Sequence, residues 1–185
     1  CPVGPYFQDG FNPVSVYVSH DHVRAVRGGT GEAKTPGNYA GSIAVSEAAR
    51  EQACQQVLWL DAVERRYIDE VGAMNIAFVY GDKEIRTPPL SGAILHGVTR
   101  ESVLQLAPDL GFEMHEERMT IEDVWRDIDN GDITEAFGMG TAAVIAPVGR
   151  LVMQGREAIL NDNRTGSVAR RLYDELTGIQ YGRIA

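Results

Sequence analysis

The chain is poor in cysteine, poor in positive charge, and without a long apolar run. Its two cysteines, Cys1 and Cys54, are too few and too scattered for a disulfide framework or a zinc site. A reducing compartment, the cytoplasm, is the expected location. Lysine and arginine number 17 against 26 aspartates and glutamates, a formal charge of -9. Nucleic-acid affinity needs many cations to neutralise phosphates, so nucleic acid is not an expected partner. No stretch approaches the roughly 20 apolar residues of a membrane helix, and no charged segment with an apolar core opens the chain. No membrane partner and no export are therefore expected. Repeats and low-complexity tracts are absent from the sequence. His20 and His22 fall on one face of an expected strand, but no carboxylate or cysteine cluster completes a set of ligands around them, so no metal is expected.

What is present is enough for one core. At 185 residues and 44% hydrophobic, the chain can hide roughly 70% of its unfolded surface, and a single domain over residues 1–185 is the default. It opens on Cys1 rather than Met, and Pro2-Val3-Gly4-Pro5-Tyr6 reads as a domain junction, so a small N-terminal domain is expected to lie outside this chain.

Val14, Val16 and Val18 alternate with Ser15, Tyr17 and Ser19, the period of a half-buried strand, and Val23 to Val26 extends it. Residues 28–41 hold so many glycines that no regular element is expected there. A helix follows over Ser42 to Gln56, then a short apolar strand Val57 to Leu60. Asn75 to Tyr80 and Glu84 to Thr87 flank Gly81-Asp82-Lys83 as a hairpin, closed by Pro88-Pro89. Thr99 to Leu110 is read as a helix with Thr99 as its N-cap and Pro108 fraying its last turn. Next come a strand within Phe112 to Met119, a short acidic helix Ile121 to Ile128, and a small-residue strand Ala142 to Ala146 closed by Pro147. A last helix begins near Ser167 with Val168, Leu172, Leu176 and Ile179 as its stripe. Strands alternating with helices predict an α/β fold, and the hairpin makes its sheet mixed. Trp59 and Trp125 are expected as core or interface anchors.

The sharpest local feature is Gly28-Gly29-Thr30-Gly31-Glu32-Ala33-Lys34-Thr35-Pro36-Gly37-Asn38-Tyr39, a lysine suspended among glycines between a strand and a helix. A solvated surface loop is the plain reading of such a stretch. A nucleotide-binding P-loop needs G-x-x-x-x-G-K-[ST], and counting from Gly28 the second glycine is replaced by Ala33, while Pro36 and Gly37 interrupt the helix that should begin there. Three further blocks follow in order: Asp69-Glu70-Val71-Gly72-Ala73-Met74-Asn75, Leu95-His96-Gly97-Val98-Thr99-Arg100, and Gly138-Met139-Gly140-Thr141-Ala142-Ala143. With the lysine loop, these resemble the branched-chain amino-acid aminotransferases, pyridoxal-phosphate enzymes of fold type IV. The likeness runs from about Arg24 to Arg183.

That resemblance implies the barrel-like, mixed α/β large domain of the family, carrying pyridoxal 5'-phosphate. It implies transamination of branched-chain L-amino acids (Leu, Ile, Val) with 2-oxoglutarate, and a homodimer in the full-length enzyme. Lys34 would be the Schiff-base lysine and proton shuttle, its pKa lowered by a desolvated pocket. Glu70 would face the pyridine nitrogen, because the ring serves as an electron sink only while that nitrogen is protonated. Leu95, Val98 and Thr99 would hold the cofactor, the last two offering helix N-terminal amides to its phosphate. Thr141 would add a phosphate contact, the amides of Thr141 and Ala142 would hold the substrate carboxylate, and Tyr39 would meet the cofactor phenolate oxygen. Read without the family, Glu70 belongs to a solvated acidic face, Thr99 is a helix cap, residues 138–142 form a tight turn, and Tyr39 is an ordinary half-buried tyrosine. The family has proline where His96 stands, which leaves either a looser phosphate loop or an added polar contact. Ala143 and Ala146 stand where some relatives carry two cysteines, so thiol control is not expected. In-class alternatives are D-amino-acid or amine transaminases and aminodeoxychorismate lyase. Outside the class stand a nucleotide-binding domain and an inactive fragment.

Overall fold

The computed structural model describes residues 10–184; the reading of Cys1 to Tyr6 as a junction falls outside them. Nine strands form one mixed sheet in the order β3-β2-β1-β8-β7-β4-β5-β6, with β9 paired to β8. The strands are β1 Val14–Ser19, β2 Gln56–Leu60, β3 Ile68–Val71, β4 Asn75–Tyr80, β5 Glu84–Thr87, β6 Glu113–Glu116, β7 Ile133–Gly140, β8 Val144–Met153 and β9 Arg156–Ile159. The sheet curls through 240° into a half-barrel, as the mixed α/β, barrel-like expectation requires. The helices are α1 Gly37–Ala40, α2 Ile43–Glu51, α3 Val98–Asp109, α4 Ile121–Asp129 and α5 Ser167–Gln180. None among the described residues is long and apolar enough to cross a membrane.

Strand alternation builds two cores, because successive side chains leave a strand on opposite faces. Ile76 and Phe78 of β4 join Leu58, Leu60, Ile68 and Trp125 on one face. Ala77 and Val79 join Phe137, Val103, Leu172 and Leu176 on the other, under α3 and α5. A smaller cluster seats Val45 and Ala49 of α2 on Val57 and Trp59. Both tryptophans are buried, as expected of anchors. Two helix starts are fixed by side chains the sequence reading passed over. Thr120 Oγ1 accepts from the Asp123 amide at 3.1 Å to cap α4. The buried Glu135 of β7 accepts from the amides of Val168 and Ala169, each at 3.0 Å, at the start of α5.

Several boundaries differ from expectation, each for a local reason. Residues 23–26 are not strand: Ser19 closes a turn by donating to the His22 carbonyl at 3.1 Å, and the Arg24 guanidinium turns inward. The glycine-dense loop does contain one helical turn, α1, since only Gly37 interrupts Asn38-Tyr39-Ala40 and its φ is not the left-handed kind. The α2 helix stops at Glu51 because Ala53 adopts φ 55° and the Cys54 amide folds back to Ala49 O at 2.9 Å, freeing Gln56 for β2. Thr99 is not the cap of α3. Gly97 is, because a Cβ there would strike Asn75 Oδ1. Pro147 does not end a strand either. It pairs with Phe137 one residue before β1 joins β8 at Val148, so no bond to β1 is asked of its missing N–H.

Candidate active site

Glu70 is the centre of the arrangement. The short strand β3 puts this carboxylate inside the fold, at 2% exposure, and three partners from distant segments converge on it. Oε1 accepts from Asn75 Nδ2 at 3.0 Å and from the Leu95 amide at 3.1 Å. Arg24 Nε stands 2.6 Å from Oε2, a charge contact rather than an aligned hydrogen bond. Burial pushes the Glu70 carboxyl up to about 7, while the Arg24 charge and the Leu95 amide pull the other way. Desolvation therefore outweighs the ion pair. A second positive charge placed beside this group would pull it back down.

Asn75 is a bridge as well as a partner, because the same Nδ2 donates to the Leu95 carbonyl at 3.0 Å. It thereby fixes the segment leading into α3 against the acid. Arg24 works in the same way on the other side. Its Nη2 donates to the Gly31 carbonyl at 3.3 Å and to the Ala93 carbonyl, tying the lysine loop and the segment before α3 to Glu70. Gly31 is buried against Ala93, and a Cβ at Gly31 would enter the Ala93 backbone. Only glycine permits that approach.

A cavity of about 150 Å³ opens beside Glu70 and includes Arg24, Tyr39, Trp59, Ala73 and Leu95 in its wall. Trp59 is held there by its indole N–H, which donates to the Gly72 carbonyl at 3.0 Å. The structure thus brings Glu70, Tyr39 and Leu95 together, 25 residues apart in sequence at the nearest for Glu70 and Leu95. Lys34 is not in that wall. It is exposed, on the loop whose far end supplies Asn38 and Tyr39 to the cavity. Asn38 shapes this loop by donating to the carbonyls of Thr30 and Ala33 at 2.7 and 2.8 Å, while the Thr30 hydroxyl donates back to Asn38 Oδ1 at 2.6 Å.

The remaining expected site residues lie around this centre rather than in it. Val98 is exposed and lines a neighbouring depression with His96, Gly97 and Arg100, at the start of α3. Thr99 is buried in the first turn of that helix. Thr141 and Ala142 are exposed in the turn between β7 and β8. Just before that turn, Gly138 and Gly140 pack on Met74 where a Cβ would collide. His96 makes a polar contact, with Nε2 3.3 Å from Glu32 Oε1 across to the lysine loop.

Sequence reading missed Arg24, and it quoted Asn75 in a motif without giving it a task. Nothing local marks Arg24, since its neighbours read as strand. Asn75 did carry a signal, a fixed spacing from Glu70.

The structure thus sets a buried acid and a tyrosine on one cavity, with a helix start in the adjoining depression. This chain belongs to the class IV aminotransferases, whose family model matches residues 3–151. The chain is 49% identical, over 99% of its length, to a probable branched-chain-amino-acid aminotransferase of Staphylococcus epidermidis. It is 48% identical, over all of its length, to branched-chain-amino-acid aminotransferase 2 of Bacillus subtilis. It spans about half of these curated relatives, 51% and 50% of their lengths. Among solved structures, a T.th. branched-chain amino acid aminotransferase with pyridoxamine 5'-phosphate superposes with a TM-score of 0.80 at 28% identity, covering 98% of this chain and 55% of that one.

Proposed function

We propose that residues 1–185 form the cofactor-carrying domain of an enzyme that exchanges amino groups between branched-chain L-amino acids (Leu, Ile, Val) and 2-oxoglutarate, using pyridoxal 5'-phosphate. The observation that carries this reading is the buried, three-partnered Glu70 carboxylate facing a cavity shared with Tyr39 and Leu95. The similarity to branched-chain aminotransferases, one of them solved with pyridoxamine 5'-phosphate, supports it. The donor set fits that cofactor: an acid for a ring nitrogen, a phenol for a ring oxygen, and unpaired amides at the start of α3 for a phosphate.

Bound pyridoxal phosphate would supply an aldehyde for amino groups and a ring that draws electrons from the substrate Cα. Glu70 would hold a proton on the ring nitrogen, and Arg24 keeps that carboxyl from rising further above its ordinary range. Lys34 would hold the cofactor through Nζ and, once a substrate amine has taken its place, its free amine would move a proton to and from the substrate Cα. Tyr39 would donate to the ring oxygen. Val98, Thr99 and Thr141 would hold the phosphate, and the Thr141 and Ala142 amides would orient the substrate carboxylate. Small amino acids and 2-oxo acids are the partners. A homodimer in the cytoplasm belongs to the same proposal, supported by the free, buried thiol of Cys54 and by exposed apolar side chains such as Val26, Ile43 and Val98.

The test is titration of the intact protein with pyridoxal phosphate while following absorbance near the visible edge, then borohydride reduction and mass spectrometry. One phosphopyridoxyl group on Lys34 is expected; modification of any other lysine sinks the assignment. Stabilisation by ATP in place of the cofactor would support the nucleotide reading instead. The geometry speaks against that reading, because Lys34-Thr35 leads into the single turn of α1 rather than a long helix with a strong dipole. Product analysis with leucine, D-alanine and aromatic amines separates the in-class alternatives.

A further inference from the structure

Next to Glu70 on β3, with its side chain on the opposite face by strand alternation, Asp69 is a nearly buried carboxylate without a protein partner among the described residues. Only 7% exposed, its carboxylate makes no hydrogen bond or ion pair with any other described residue. Asp61, in the wall of the same cavity, is the control within the molecule. It accepts from the amides of Val63, Glu64, Arg66 and Tyr67 at 3.1, 2.8, 3.1 and 2.9 Å. One carboxylate is saturated with donors. The other faces a cavity of about 800 Å³, whose wall also includes Arg27, Tyr67, Leu90 and Arg118.

We propose that Asp69 anchors a second binding site, separate from the Glu70 cavity, for an alkyl-guanidinium or alkyl-ammonium group. A nearly buried carboxylate without protein donors is met only by the solvent its cavity admits, and N–H donors from a ligand are what it lacks. Burial, aided by the charge of Asp61, pushes the Asp69 carboxyl up to about 6, and the charges of Arg24 and Arg118 pull back without bonding to it. The group thus remains largely ionised at neutral pH. A metal ion is a poorer candidate, since no group of three His, Cys, Asp or Glu suited to one occurs among the described residues. An organic cation needs only the single carboxylate together with apolar walls for its stem, which Leu90, Pro88, Pro89 and Ile94 provide. Arg118 is engaged elsewhere, with its guanidinium 3.6 Å from the Tyr67 ring centre and 4.0 Å from Glu64. Glu32, Glu64 and Arg27 are the other charged groups on this wall.

The cation can come as a free molecule or as an arginine or lysine side chain from elsewhere in the assembly, and one experiment separates these. The intact protein is labelled with carboxyl-¹³C aspartate, the Asp69 resonance is assigned by its loss in Asp69→Asn, and its titration is followed with and without ethylguanidinium. A midpoint near 6 that saturably drops by roughly a unit or more with ethylguanidinium, and not with tetramethylammonium, supports a free-ligand site. A midpoint already near or below about 4, unmoved by the probe and retained in Arg118→Gln, supports a protein side chain as occupant. The proposal is overturned by a midpoint near 6 that ignores ethylguanidinium or answers tetramethylammonium equally. It is equally overturned if the low midpoint rises in Arg118→Gln, which would make Asp69 half of an internal ion pair. Neither Lys34 nor Glu70 enters this test, so it stands apart from the cofactor reading.

Discussion

The lysine and the acid of this site are held in opposite ways. Lys34 sits on a loop whose bonds are nearly all its own: Ala33 N to Thr30 O at 3.0 Å, Thr35 N to Ala33 O at 2.9 Å, and the Asn38 side chain across both. Glu70 is held by residues 46 positions before it and 5 and 25 after it, meeting inside the sheet. A locally bonded loop can present a reactive amine to solvent and to arriving ligands, while a carboxylate that must hold one proton is better fixed by the whole fold. The two are joined at a single seam, where Gly31 packs on Ala93 and Arg24 bonds both carbonyls.

The contrast is tested most severely at the amine. Lys34→Ala should lower kcat by roughly three orders of magnitude or more, with the melting temperature nearly unchanged, because an exposed side chain contributes little to stability. Steady-state rates and thermal unfolding of the intact protein check both halves. A large loss of stability would mean that the loop is part of the core after all.

At the acid, chemistry and stability should move together. Glu70→Gln is expected to slow turnover by about 100-fold, since an amide holds a proton on a ring nitrogen poorly. It should also change the pH dependence of folding without cofactor. Glu70 is raised in the folded protein from 4.5 to about 7, so the folded state binds the proton more tightly than the unfolded chain. Stability is then greatest below about 4.5 and falls as pH rises toward 7, by an upper limit on the order of 3 kcal/mol. Urea unfolding of the variant between pH 4 and 8 should show a flatter profile than the parent. An equally steep profile would assign the slope to other groups, Asp69 foremost.

This contrast also explains what could be read in advance. The lysine loop was legible because its determinants are neighbours in sequence: glycines, Lys34, Asn38 and Tyr39 within a dozen positions. The ordered blocks around Glu70, Gly97 and Thr141 were legible for the same reason, as were β1, β4, β5 and α5 from periodicity. The setting of Glu70 was not, because Arg24 looks like part of a strand and acquires its role only when β3 passes beneath it. The strands β3, β7 and β9 escaped reading too. Residues 68–71 are buried on both faces and include two acids, so no alternation marks them. Glycines at 138 and 140 read as a turn, although both lie in the paired part of β7 where Met74 fills their missing side chains.

The seam gives a test of intermediate size. Gly31→Ala puts a methyl into the Ala93 backbone, which cannot yield as a flexible side chain could. A loss of roughly 1 to 3 kcal/mol is expected from overpacking, accompanied by weaker pyridoxal phosphate binding because lysine loop and acid would part. Thermal unfolding and cofactor titration on the same preparation measure both. Unchanged affinity in a destabilised protein would show that the seam serves folding only.

The smallest effect is the cleanest to interpret. Tyr39 lines the Glu70 cavity and is 42% exposed. Its backbone is fixed by the bond from its amide to Pro36 O at 3.0 Å and by the Ser42 hydroxyl on its carbonyl at 2.7 Å. Its phenol makes no hydrogen bond with any other described residue. Removing that hydroxyl in Tyr39→Phe therefore breaks nothing within the described fold, and stability should stay within about 0.5 kcal/mol of the parent. Any loss of kcat/KM must then come from a contact with bound cofactor or substrate, and one hydrogen bond of that kind is worth about 1 kcal/mol, or roughly five-fold. A five-fold fall with a shifted absorbance of the bound cofactor would place the phenol at the ring. No fall at all would leave Tyr39 as a wall of the cavity and move the ring-oxygen contact to another residue, with Ser42 and Ser46, both on the same wall, as the donors to examine next.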